Sequence, residues 1–138
     1  MNKLLTAFIV LLVVGVGAFL FLTGSDSNVT GNVISEGADE NSLKTFVLTG
    51  ENFKFSMDGV DNPQIKVRQG DRVRIEFKST QGFHDWILDE FGAATEKVRD
   101  TDGMTFVEFT ADKKGTFEYY CSVGEHRANG MKGVFVVE

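Results

Sequence analysis

The sequence predicts an all-β domain, a sandwich of seven or eight short strands spanning residues 43–138, and three observations carry that prediction. Short β-prone runs follow one another from Leu43 onward, each closed by a cluster of Gly, Asp or Asn. The clearest run alternates strictly: Val73, Ile75 and Phe77 face one way, while Arg72, Arg74, Glu76 and Lys78 face the other. No convincing long amphipathic helix interrupts the series, and thirteen phenylalanines in the chain supply bulk for a core between two sheets.

The 138 residues hold one ordinary domain, preceded by two segments of different character. Leu4–Leu22 carries no charge and consists mostly of Leu, Val, Phe and Ala, long enough as a helix to cross a bilayer. Lys3 precedes it, which by the positive-inside tendency puts the N-terminus in the cytoplasm and the rest outside. Residues 1–22 are therefore expected to be a single-pass anchor in the cytoplasmic membrane. A cleaved signal peptide is the competing reading; the length of the apolar run and the poor small-x-small matches at Gly17-Ala18-Phe19 and Leu22-Thr23-Gly24 argue against it. Residues 23–42 turn abruptly to Gly, Ser, Asn, Asp and Glu without a basic residue, the composition of a flexible linker. A coil of that length spans about 25 Å, enough for a tethered domain to reach neighbouring membrane proteins. Asn28-Val29-Thr30 is a glycosylation sequon within it.

The strands then follow in order. Lys44–Thr49 and Asn52–Met57 are β-prone, and Asp58–Pro63 is rich in turn residues. In Gln64–Arg68, Ile65 and Val67 alternate with Lys66 and Arg68, and Gly70-Asp71 turns the chain into the Arg72–Lys78 strand. Phe83–Leu88 reads as one strand with His84, Trp86 and Leu88 on its inner face. A looser stretch, Asp89–Gly103, carries a short helix or irregular turn near Thr95–Val98. Thr105–Thr110, Gly115–Cys121 and Gly133–Glu138 complete the set, with Phe117, Tyr119 and Cys121 on the inward face of theirs.

Between the last two strands lies a stretch that concentrates the unusual chemistry. Cys121, the chain's one cysteine, is followed by His126 and Met131, and His84 is the chain's other histidine. Singly, each reads as a small hydrophobe, a surface imidazole or core filler. Together in one loop they present a thiolate, an imidazole and a thioether, with a second imidazole from upstream: a soft donor set that suits copper. Gly124, Gly130 and Gly133 permit the tight turning needed to bring the donors to one point.

The loop resembles the ligand loop of the cupredoxins, the family of plastocyanin, azurin and rusticyanin. There a Cys ends one strand, a His follows in the loop, a Met precedes the last strand, and the first His lies on an earlier strand. The matching positions here are Cys121, His126, Met131 and His84, and the resemblance covers Leu43–Glu138. It implies a Greek-key sandwich, one type 1 copper ion, and one-electron transfer with redox protein partners in or near the membrane rather than turnover of a substrate. His126 resembles the partly exposed ligand through which electrons leave, with Gly124, Ala128, Gly130 and Phe83 as an apolar docking patch rimmed by Arg127 and Lys132. Tyr120 matches a surface Tyr of plastocyanins near a second docking site, or is a plain edge-strand aromatic. Asp85 is a departure: much of the family has there an Asn that braces the ligand loops.

Several classes are excluded. Tyr120 and Ser122 flank Cys121, and the chain has two histidines, so the second copper centre of a multicopper oxidase or copper nitrite reductase cannot be built from it. Glu125 stands where a binuclear copper site needs its second Cys, and one cysteine forbids an intrachain disulfide. Residues 43–138 carry 13 basic and 16 acidic side chains, net −3, which gives no reason to propose nucleic acid. The remaining alternatives are a module that carries copper as cargo and a subunit that feeds electrons to an oxidase or reductase.

Overall fold

The computed structural model describes residues 43–138. The expected anchor (1–22), the linker (23–42) and the sequon at Asn28 lie outside the described residues. Within them, twelve strands are present: β1 (Leu43–Glu51), β2 (Lys54–Met57), β3 (Val60–Asp61), β4 (Ile65–Val67), β5 (Arg72–Ser79), β6 (Phe83–His84), β7 (Ile87–Leu88), β8 (Ala93–Ala94), β9 (Val98–Arg99), β10 (Thr105–Thr110), β11 (Gly115–Tyr120) and β12 (Lys132–Val137). A 3-10 turn, Asp89–Phe91, is the one helical element among these residues.

Two five-stranded sheets face each other, in the orders β10-β5-β1-β2-β3 and β4-β12-β11-β7-β8, and a small ladder pairs β6 with β9. Two pairs, β1 with β5 and β4 with β12, are parallel, so the chain crosses over instead of meandering. The inner faces meet in a core of Leu48, Phe55, Ile75 and Phe77 from one sheet and Ile65, Leu88, Tyr119 and Phe135 from the other, all essentially inaccessible to water. Tyr119 ties the layers together. Its ring packs edge-on to Phe55 at 5.3 Å and stacks on Trp86 at 5.5 Å, and its hydroxyl donates to the Pro63 carbonyl at 2.6 Å. The alternation read for Arg72–Lys78 holds, with Val73, Ile75 and Phe77 buried.

Two readings of the middle of the chain are corrected. Twelve strands replace seven or eight, because five are two-residue pieces that alternation cannot reveal. Phe83–Leu88 is also not one strand. β6 pairs with β9, whereas β7 pairs with β11 and β8, and between them the Trp86 N–H leaves the ladder to donate to Thr95 Oγ1 at 3.0 Å. The chain switches sheets at Asp85-Trp86, so both adjoining side chains are buried and period two fails. Of the two readings for Thr95–Val98 the irregular one holds up to Lys97, with β9 beginning at Val98; the helical turn lies at Asp89–Phe91 and ends at Gly92, whose φ of 58° a glycine adopts without steric cost.

Candidate metal centre

The sheet switch is what delivers His84. Leaving β6, its imidazole is 3% exposed, and its Nε2 hydrogen-bonds to the Gln81 carbonyl at 2.8 Å. A carbonyl can only accept, so Nε2 carries the proton and Nδ1 is left as a bare donor atom directed into the site. From β11, Cys121 follows Tyr119 and Tyr120 and is fully buried. The loop after it brings His126 back: Nδ1 of His126 lies 3.1 Å from Nδ1 of His84 and 3.5 Å from Cys121 Sγ, which is 3.8 Å from His84 Nδ1. His126 is half-buried, the ligand nearest the surface.

Met131, fully buried, closes the loop beside Cys121 and His126. Its N–H donates to the His126 carbonyl at 2.9 Å and its carbonyl accepts from the Cys121 N–H at 3.1 Å, so backbone bonds stitch three of the four sequence-predicted ligands together. Its methyl end and the Phe77 ring both close on Gly50, where a side chain would crowd them. The chain thus brings all four residues to one end of the sandwich.

The donors fit a single metal ion. His84, Cys121 and His126 place their ligand atoms within 4.8 Å of one another. Separations of 3.1–3.8 Å are those of atoms each bonded at about 2.0–2.3 Å to one first-row transition metal. Two imidazoles, one thiolate and a thioether form a soft donor set that would hold copper, which would supply a one-electron couple there. Burial pushes the Cys121 thiol up to about 11, while the backbone N–H groups of Asp85 and Val123 pull the other way. Burial likewise lowers His84, opposed by its bond to Gln81. Each shift favours the neutral form, so Cys121 would hold copper as a thiolate only by giving up its proton on binding, while His84 keeps Nδ1 unprotonated and free to ligate to lower pH than an exposed imidazole would.

Around the donors sit residues that the sequence singled out and one, Asn62, that it did not. Asp85, 1% exposed, accepts from the Ser122 N–H at 2.7 Å and from the Ser122 hydroxyl at 2.5 Å, so the position that departs from the family pattern still braces the loop. Asn62 joins two loops: its Oδ1 accepts from the Phe55 N–H and its Nδ2 donates to the Gly130 carbonyl at 3.1 Å. Asn62 reads in sequence as turn chemistry, and no local signal reports a contact 68 residues away. Arg127 and Lys132, the expected rim, are both engaged by Glu118. Tyr120 is half-buried, its hydroxyl donating to the Asp89 carboxylate and its ring covered by Arg127 at 3.8 Å.

Comparison with known proteins agrees with this geometry. The family described as copper binding proteins, plastocyanin/azurin family, matches residues 33–138. A copper-containing nitrite reductase of Neisseria meningitidis is 34% identical over 96 residues, 61% of this chain and 25% of that one. The chain thus spans about a quarter of the length of the curated relatives it matches. Among solved structures, auracyanin A, a blue copper protein of Chloroflexus aurantiacus, superposes with a TM-score of 0.58 at 22% identity, over 70% of this chain and 100% of the other. Rusticyanin from Thiobacillus ferrooxidans gives 0.54 at 25% identity, over 72% and 82%. Every strand and every donor described above falls inside the family match, and the chain belongs to the plastocyanin/azurin family of copper-binding proteins, the cupredoxins.

Proposed function

We propose that this cupredoxin is a one-electron carrier, tethered by residues 1–22 to the cytoplasmic membrane, with its copper domain (43–138) on the outer face and the linker (23–42) giving it reach to redox proteins nearby. The observation that carries the reading is that both histidines of the chain meet its one cysteine in a single buried site. Bound copper supplies a couple that exchanges one electron. The protein holds the donors still: the Gln81 carbonyl fixes His84, the backbone bonds of Met131 fix the loop, and Asp85 fixes Ser122. Burial of Cys121 keeps water from the thiolate, and half-exposed His126 offers the shortest way out for an electron. With no further imidazole in the chain for a substrate-binding centre, transfer rather than turnover is its role.

A second reading, a domain that feeds electrons to a reductase, draws on the likeness to part of a nitrite reductase. Copper as cargo has less support, since the site offers one Cys and one Met.

The test is a visible and electron paramagnetic resonance spectrum of the full chain in detergent, loaded with Cu(II), beside Cys121→Ser. An intense sulfur-to-copper band with narrow hyperfine splitting, bleached reversibly by reductant and absent from the variant, is expected. A colourless protein with ordinary tetragonal signals, unchanged by the substitution, would put the cargo reading first.

A further inference from the structure

The two imidazoles of the site are held differently. His84 is oriented by a hydrogen bond from its second ring nitrogen to Gln81, whereas among the described residues the side-chain hydrogen bonds of His126 involve Nδ1 alone, on the metal side. What His126 has instead is Phe53, whose ring meets it edge-to-face at 4.9 Å between centroids and 83° between planes.

Phe53 stands where the backbone does not want it. Glu51 pairs with Lys54, so Asn52-Phe53 is the whole two-residue link between β1 and β2, and both residues have positive φ, 43° and 60°. Such a turn favours Asn followed by Gly, because a Cβ at the second position clashes with the backbone. The next hairpin is an internal comparison. Between β2 and β3, where Met57 pairs with Val60, the link is Asp58-Gly59, the residues the turn requires. Phe53 in the equivalent place gives up backbone comfort, and at 46% exposure it recovers little by burial. Neither intrinsic propensity nor core packing accounts for it. Its ring also lines, with Phe83 and Val123, an open pocket of about 280 Å³ beside both imidazoles.

We propose that Phe53 is a positioning residue for the ligand His126: the strained β1–β2 turn lays its ring against the imidazole and keeps Nδ1 directed at Cys121 and His84, the task that Gln81 performs for the other histidine. The inference takes from the function proposed above only that His126 is a ligand, and its test is read in the metal-free chain, so it stands or falls apart from electron transfer.

The experiment compares Phe53→Gly and Phe53→Tyr with the native full chain in detergent, at one fixed pH. Melting temperature is measured together with ring proton–nitrogen correlation spectra, which resolve the chain's two histidines. In the glycine variant the melting temperature is expected to stay level or rise as the turn relaxes, while the His126 ring signals broaden or split and those of His84 do not move. The tyrosine variant restores a single set. His126 signals like those of the native chain, equal disturbance of His84, a lowered melting temperature in Phe53→Gly, or failure of tyrosine to restore the ring would each overturn the proposal.

Discussion

Asp85 and Gly133 show how single residues set the site. The Asp85 carboxylate accepts two hydrogen bonds from Ser122, the residue after Cys121, and its charge disfavours the Cys121 thiolate. A fixed negative charge beside a metal stabilises the higher oxidation state. Asp85→Asn is therefore expected to raise the reduction potential, measured by protein-film voltammetry. Asp85→Ala, which removes both acceptors from a buried position, should lower stability to urea by about 1–3 kcal/mol. Gly133 begins the approach of β12 to the core where a Cβ would collide with the ring and hydroxyl of Tyr119. Tyr119 cannot retreat, because its hydroxyl is bonded to Pro63 and its ring lies between Phe55 and Trp86. Gly133→Ala should cost about 1–3 kcal/mol in urea unfolding, the range for overpacking a dense core.

At the scale of elements, the short turn Asp89–Phe91 acts as a plug for the sandwich. It places Phe91 among Phe109, Phe117 and Phe135, with ring centroids 5.1–6.0 Å apart, so one residue from a connection joins β10, β11 and β12. Aromatic pairs of this kind add about 0.5–1.5 kcal/mol beyond their buried area. Phe91 is half-buried, so Phe91→Ala should cost about 2 kcal/mol, below the 3–5 kcal/mol of a fully buried phenylalanine. None of these rings is a ligand or touches one in the aromatic contacts, so the copper spectrum is expected to be unchanged. Urea unfolding with the absorption spectrum of the folded variant checks both parts. The outer face of the first sheet contributes less: Arg74 bridges Glu76 and Glu108 and covers Phe106, but ion pairs this exposed to solvent are screened.

For the whole molecule, burial of titratable groups gives the metal-free protein a bounded range of stability in pH. His84 is lowered from its ordinary 6.5 by burial, so the unfolded chain takes up that proton first as pH falls. The stability it contributes is full above 6.5 and is lost as pH drops through its folded value. Cys121 is raised from 9 to about 11 and Tyr119 is raised as well, both by burial, so their contributions are full below the unfolded values and are lost as pH rises through the folded ones. Melting temperatures of the metal-free chain should therefore be level between about pH 6.5 and 9 and fall on either side. His84→Gln should flatten the acid limb and Cys121→Ser part of the alkaline one. Bound copper, which prefers the folded state, should raise the curve across that range.

The sequence by itself determined the sheet class and the chemistry of the site. Alternation in Arg72–Lys78 and Gly115–Cys121 depends only on which residues must leave water, and a Cys, a His and a Met in one glycine-bearing loop carry donor softness in their side chains whatever the fold. Tertiary structure decided what is non-local. Only the packed sheets show that Phe83–Leu88 breaks between two ladders, since the break is made by Thr95 capturing the Trp86 N–H and by Ser122 capturing Asp85. Only they show that Asn62 clamps Gly130 and that Phe53 rests on His126, contacts 68 and 73 residues apart in the chain. Pattern in a sequence records each residue's dealings with water and with its near neighbours; partners brought together by folding leave no such record, and at this site they hold the ligands in place.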